Sequence, residues 1–492
     1  MDRELRKEYF DKAFKLHSSG MGDEAKVFYN KILAENPDDY EVMNLLGMLE
    51  LQAKNYDLAE NWILKAIELK PAFYFYETLS RVYNHKKDWQ KELDVLLETE
   101  KLFGLNYETA FRLGLVFRRF MNYELSEKYY LKALELQPLA RDTYMNLGNL
   151  YTIFHEFEKA RKCFEQCLTH FPDDREFRYF LGLIYFRFKN YEKGLPCFES
   201  RLCRETAIKT SELTYPNLMK SAKLWQGEDI SDKVLYTYYE AGFGDMLMFA
   251  RYLPMLIKKC KKIILKPQIE LTQLFRENFP EIEVMDYFTP EQELQFDYHI
   301  PFLSIPYVLG LSTEEMFVGR KQYLRATPER VKEYKENFFN NDKFKIAIKW
   351  QGNTYYERER VIDVDAFAKL FELPNTQVYS AQTFAGAEEF EKLSAKYNIV
   401  DLSKSFKDFS CTAGAIENLD LIICNDTSLA HLAGAMNKPC AVILPYNYNW
   451  RWHTDLNYCD WYESVKLYLV EQNETWADAI NRVIEDIIQG NL

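Results

Sequence analysis

Four polar residues in a row, Asn425-Asp426-Thr427-Ser428, follow the apolar run 421–424 and lead into a helix of small residues. A helix N-terminus presents free N–H groups and the positive end of its dipole, so phosphate settles there. Thr427 and Ser428 add hydroxyl donors at that mouth, and His431 stands one turn further along the face of Thr427. A second constellation, Glu240-Ala241-Gly242-Phe243-Gly244-Asp245, follows the strand-like run 234–239. Gly242 and Gly244 let the backbone come close to a ligand. Asp245 begins the next helix, where a carboxylate can cap the helix or take a proton from a substrate hydroxyl. The third set is cationic: Lys349 lies at the end of the apolar strand 346–350, and Arg358 and Arg360 follow the turn Gln351-Gly352-Asn353. A lysine in a buried strand needs an anion or a route to water. A diphosphate would satisfy several of these cations at once, as Glu357 and Glu359 would on a wet surface. The chemistry indicated is the binding of an anionic, nucleotide-bearing ligand.

The elements that must position these residues alternate short β-rich runs with helices from about residue 224 onward. Strands are expected at 234–239, 263–265 and 283–285, with a helix at 245–259, and again at 346–350, 377–380, 399–402, 421–424 and 440–444. The charged stretch 327–342 reads as a helix between two halves, and 475–488 as a closing helix. Two facing Rossmann-like domains would place a ligand at the carboxyl ends of both sheets. Trp450, Trp452 and Trp461 lie in an aromatic tail that could stack on a ligand but more simply packs between the domains.

The first 200 residues repeat. Gly114, Gly148 and Gly182 are 34 apart, as are Pro37 and Pro71, and Pro138 and Pro172. Leu147-Gly148, Tyr151, Ala160, Phe164 and Pro172 define a helix-turn-helix unit in which small residues admit a neighbouring helix and proline ends the second one. About six units fit between Arg6 and residue 206, the one at 74–105 being degenerate, with Leu93 at the small-residue position. They resemble the tetratricopeptide repeat, whose stacks curl into a superhelix with a peptide-holding concave face. The sixth position of the first helices holds Leu45, Arg112, Asn146 and Phe180, so a bound peptide is not held by an asparagine ladder. The spacing of Cys163, Cys167 and His170 could suggest zinc, but the two thiols read as core, with Cys167 in a small-residue slot and His170 just before Pro172.

The chain has 492 residues, enough for two or three domains, and a formal charge of −13 that argues against general nucleic-acid binding. Its nine cysteines form no CxxC pair, residues 1–10 are charged from the second position, and no apolar run reaches the roughly 18 residues of a bilayer span. These features lead to the expectation of a cytoplasmic protein with reduced thiols and no membrane span.

In order along the chain, the segments WQGEDISDKVLYTYYEAGFGDMLMFARYLP, IAIKWQGN…RER, VYSAQ, DLSKSFKDFSCTAGAIENLDLIICNDTSLAHLAGAMNKP and LPYNYNWRW…WYESVKLY look like bacterial tetratricopeptide proteins whose second half is similar to glycosyltransferase family 9, the heptosyltransferase-like group. The resemblance implies repeats at 1–206, then a GT-B fold of two Rossmann-like domains at 207–326 (acceptor side) and 327–492 (nucleotide-sugar side). It implies an inverting, metal-independent transfer from a nucleotide sugar, with no cofactor. Asp245 falls on the family's proposed general base, Asp426, Thr427, Ser428 and His431 on its donor motif, and Gln382 and Asn353 on cleft-facing polar positions. Lys349 and Val361 depart from the family pattern, so the donor is not taken to be ADP-heptose. The acceptor expected is a protein, such as flagellin or another surface protein, held by the repeats, which could also mediate oligomerisation. The alternatives are a lipid-linked or saccharide acceptor, or a non-catalytic repeat scaffold.

Overall fold

The computed structural model describes residues 2–203, 223–286, 294–352, 360–383 and 386–492. Asn353 and Arg358 of the expected cationic set lie outside the described residues. The chain divides into two compact units, Met1–Pro172 and Asp173–Leu492.

The first unit contains ten helices in five pairs, from Arg3–Ser18 to Phe157–His170. A left-handed residue joins the two helices of each pair: Gly20, Lys54, Lys87, Met121 and His155. Small side chains allow the helices of a pair to close. A Cβ on Gly47 would stand 2.5 Å from Ile63 Cγ1, and one on Gly114 2.5 Å from the Tyr130 ring. The spacing between these turns is 34 residues except between Lys54 and Lys87, where it is 33. That single deletion corrects the expectation for the degenerate unit. Glu92, not Leu93, occupies the slot filled by Ala25, Ala59, Ser126 and Ala160, and it is 1% exposed. Its carboxylate accepts from Arg112 Nη2 at 2.7 Å, Arg119 Nη1 at 3.2 Å and Asn84 Nδ2 at 3.1 Å. A buried carboxylate persists only when paired in this way. Cys163 and Cys167 are core residues, and burial pushes the Cys163 thiol up to about 12.

The second unit opens with a sixth helix pair, Arg175–Arg187 and Tyr191–Phe198, joined by left-handed Lys189. Two parallel sheets follow. The first comprises β1 (Lys223–Leu224), β2 (Ile230–Tyr238), β3 (Cys260–Lys266), β4 (Glu283–Val284) and β5 (Tyr298–Pro301), in the order β1-β5-β2-β3-β4. The second comprises β6 (Phe344–Lys349), β7 (Thr376–Ser380), β8 (Ile399–Asp401), β9 (Leu421–Asn425), β10 (Cys440–Leu444) and β11 (Val465–Leu469), in the order β11-β10-β9-β6-β7-β8. Ile346, Ile348, Phe367, Leu370, Ile480 and Val483 form the core on one face of the second sheet. The expected helix at 245–259 is broken: it runs Phe243–Phe249, tightens at Ala250–Tyr252 and restarts at Leu253–Ile257. Pro254, near the start of the second piece, supplies no N–H to continue the first. No helix among the described residues is long and apolar enough to cross a membrane.

Strand order in the second sheet reverses between β6 and β9. At such a switch point the loops leaving adjacent strands part in opposite directions and open a crevice at the carboxyl edge. Lys349 ends one of these strands and Asn425 the other.

Candidate functional site

At the carboxyl end of β9, Asp426 and Thr427 precede the helix Ser428–Ala435. Thr427 is its N-cap, and among the described residues no side chain caps the N–H groups there; Thr427 Oγ1 donates instead to Asn425 O at 3.3 Å. Gly352 comes close by, since a Cβ there would meet Thr427 Cγ2 at 3.1 Å. Asn425 is fully buried and ties the crevice together, donating from Nδ2 to Arg360 O at 2.6 Å. Arg360 returns the contact through Nη1, 3.1 Å from the Asp426 carbonyl and 3.2 Å from its Oδ2.

The glycine turn after β2 approaches this helix directly. Phe243–Phe249 packs on Ser428–Ala435, and a Cβ on Gly244 would stand 2.8 Å from His431 Cδ2. Only glycine permits that approach. His431 is buried, stacked on Trp452 with centroids 5.5 Å apart, and its Nδ1 meets the Tyr462 hydroxyl at 2.9 Å. Burial is the main cause that brings its pKa down to about 4, so the imidazole is neutral at physiological pH.

Asp245 is the third helical residue rather than the cap itself. Its Oδ2 accepts from Gly242 N at 3.1 Å, one half of a capping box, since glycine has no side chain to return the bond. Its Oδ1 is ion-paired with Arg451 Nη2. Arg451, set among the tryptophans of the aromatic tail, is the site residue that sequence reasoning passed over. The signal was present: an arginine inside the apolar string Trp450-Arg451-Trp452 has to find an anion. Burial opposes its charge, but Asp245 and Asp426 hold the guanidinium protonated. Glu240, just before the glycines, is fixed by Arg201 at 2.8 Å, and Arg201 is held in turn by Glu199 and by Ser304 Oγ at 2.7 Å.

Lys349 is 7% exposed and donates to Thr383 Oγ1 at 3.2 Å. Burial pulls its pKa down to about 8. Gln382 serves the backbone. Its Oε1 accepts from Trp350 N at 3.2 Å and Gln351 N at 3.0 Å, and its Nε2 donates to Gln351 O at 3.0 Å. It therefore braces the end of β6. The fold thus gathers Gly242, Gly244, Asp245, Arg360, Asp426, Thr427, Ser428 and His431 around one crevice, with Lys349 at the adjoining strand end.

The helical part of the chain carries tetratricopeptide repeats: that family's description matches residues 24–72, 107–138 and 154–205. Among curated proteins the chain is similar to Protein FlbA of Caulobacter vibrioides, at 24% identity over 293 residues, covering 53% of this chain and 47% of FlbA. The chain thus matches about half the length of that relative. Among solved structures it is similar to Pseudomonas aeruginosa pilF (16% identity, 44% of this chain and 95% of that chain, TM-score 0.36). It is also similar to YrrB, described as a TPR protein with an unusual peptide-binding site (20% identity, 35% and 90%, TM-score 0.32).

Proposed function

We propose that the chain is an inverting, metal-independent glycosyltransferase of GT-B architecture, moving a sugar from a nucleotide-sugar donor to a hydroxyl of a protein acceptor recruited by the repeats. The observation that carries this reading is the meeting of Gly244 with His431. It brings the first turn of the helix that carries Asp245 against the helix that starts after β9. In the proposed step Asp245 takes the acceptor hydroxyl proton as that oxygen bonds to the anomeric carbon. The bond from that carbon to phosphate breaks, and the nucleoside diphosphate leaves with the electron pair. The helix N-terminus, Arg360 and Lys349 stabilise its charge. Flagellin or another surface protein is an acceptor of the right class, and a nucleotide-sugar reaction with free thiols suits the cytoplasm. The repeats themselves favour the second reading, a non-catalytic scaffold, because such arrays bind peptide segments.

A thermal-shift screen of the full chain against UDP, GDP, ADP and CMP and their sugars separates the two. A rise selective for one nucleotide supports the donor site and names the donor class. No rise with any of them favours the scaffold. With the matching sugar in hand, Asp245→Asn should lower transfer by roughly a thousandfold or more while the protein stays folded; full activity would remove Asp245 from the mechanism.

A further inference from the structure

Arg451 lies on the turn Trp450–Trp452, and its three nitrogens are in three different situations. Nη2 is ion-paired with Asp245, and Nη1 donates to Asn449 Oδ1 at 2.7 Å. Nε is buried with no hydrogen-bond partner among the described residues. A buried donor left unpaired is costly and usually marks a place where a partner belongs. Asp245, for its part, has one oxygen on Arg451 and the other on the Gly242 N–H. Both of its oxygens are thus taken by donors of the chain, in the place a substrate hydroxyl would need. The arrangement therefore holds the base in an unproductive pair while leaving a guanidinium edge free for an acceptor.

The arm bearing Arg451 is fixed on both sides. Arg187 Nη2 holds Tyr448 O at 2.6 Å, and His453 sits between the Tyr191 hydroxyl and Asp460 Oδ2, 2.8 Å from each. A change of partner at Arg451 thus falls to its side chain. The guanidinium has a second carboxylate in its field, Asp426, at the foot of the uncapped helix. Diphosphate is the ligand chemistry that fits: it carries several negative charges where Asp245 carries one, and it accepts guanidinium hydrogen bonds in pairs.

We propose that Arg451 is a handover cation: without ligand it is paired with Asp245, and a diphosphate arriving at the helix start draws it onto phosphate oxygens and thereby releases Asp245. Resting on the glycosyl-transfer reading above, this makes proton abstraction conditional on donor binding. A site holding acceptor alone keeps Asp245 occupied by Arg451.

The test is calorimetric titration of the full chain with inorganic pyrophosphate and with UDP, GDP and ADP. It compares the unsubstituted chain with Asp245→Asn, Arg451→Gln, Arg451→Lys and the Asp245→Asn/Arg451→Gln double variant, each checked for folding by its melting curve. Arg451→Gln should weaken pyrophosphate binding roughly tenfold or more, with Arg451→Lys between the two. Asp245→Asn should tighten it by roughly threefold or more, because the arginine no longer has to leave a carboxylate. In the Arg451→Gln background the same Asp245→Asn change should have no effect. If the gain persists there, Asp245 acts by simple repulsion and the handover is wrong. If Arg451→Gln binds as well as the unsubstituted chain, the arginine does not touch phosphate and the proposal also fails. Binding of none of the probes by the unsubstituted chain would instead overturn the donor-site reading itself. The double variant removes both charges together, so it stays informative even where Arg451→Gln strands the aspartate.

Discussion

The repeat array and the α/β crevice each bury a carboxylate–arginine pair, and they do so to opposite ends. In the array, Glu92 replaces a small residue and is surrounded at once by Arg112, Arg119 and Asn84, all from the same or the next helix pair. Both of its oxygens are engaged, although Arg112 Nε keeps no partner among the described residues. In the crevice, Asp245 and Arg451 come from segments 206 residues apart, and the arginine keeps a buried nitrogen unpaired. The first pair repairs a local misfit; the second is built to change partners. Burial, pairing and a buried arginine Nε without a partner among the described residues (Arg112 in the array, Arg451 in the crevice) are alike at both places, and the span of chain that each pair joins tells them apart.

If that contrast holds, breaking the first pair costs stability and breaking the second costs chemistry. Glu92→Ala, which restores the usual small residue, should nonetheless destabilise the array by about 3–5 kcal/mol because it strands buried Arg112. Adding Arg112→Leu should recover much of the loss, and chemical denaturation monitored by circular dichroism measures both; a silent Glu92→Ala would show that the pair does not hold the repeat together. Gly244→Ala should cost about 2 kcal/mol and weaken nucleotide binding, since His431 is pinned by Trp452 and Tyr462 and cannot retreat. Melting curves with and without nucleotide would detect this, and unchanged binding would mean the two loops do not form one site.

Lys349→Met gives a smaller effect with a defined pH signature. The folded chain gives up this proton near pH 8, while the unfolded chain keeps it until about 10.5. The unfolded state therefore binds more protons in that window, and stability rises with pH across it. Lys349→Met should remove that rise and stabilise the protein at pH 7 by about 1–2 kcal/mol while weakening anion binding. An identical pH profile in the variant would locate the titration elsewhere. The mildest change is Met121→Gly at an exposed left-handed turn, expected to stabilise the array by less than about 1 kcal/mol. A loss of stability would mean that the Met121 side chain has a packing role.

The repeats were legible because each slot is set by neighbours within one unit, and a period of 34 exposes them. Leu93 was misassigned for the same reason: the period slips to 33 between Lys54 and Lys87, and a rule that counts residues cannot see which side of a helix is buried. The two loops of the crevice were legible as strings, since glycines and hydroxyl residues after apolar runs have few other uses. That they meet at Gly244 and His431 was not legible, because the packing of two distant helices leaves no local mark. Gln382 shows the converse: a polar residue just past a strand end can serve to brace the backbone. The strands β1, β5 and β11 were not among those expected, although β4 and β8, which are as short, were.

The sixth helix pair has a consequence for how the chain can be taken apart. Phe186 packs on Trp450 with centroids 4.9 Å apart, and Lys189 pairs with Asp460 at 2.7 Å, alongside the holds on Tyr448 and His453 described above. This pair has the outline of a repeat but the duties of a bracket. A fragment cut after the last repeat, beginning near residue 207, would separate the arm of Arg451 from its support and uncover Trp450. One beginning at Asp173 follows the compact boundary and keeps them together. Seen this way, the array has given up its final module to the neighbouring unit. Proteolytic nicking or gene dissection would find the joint one repeat earlier than the helical pattern suggests.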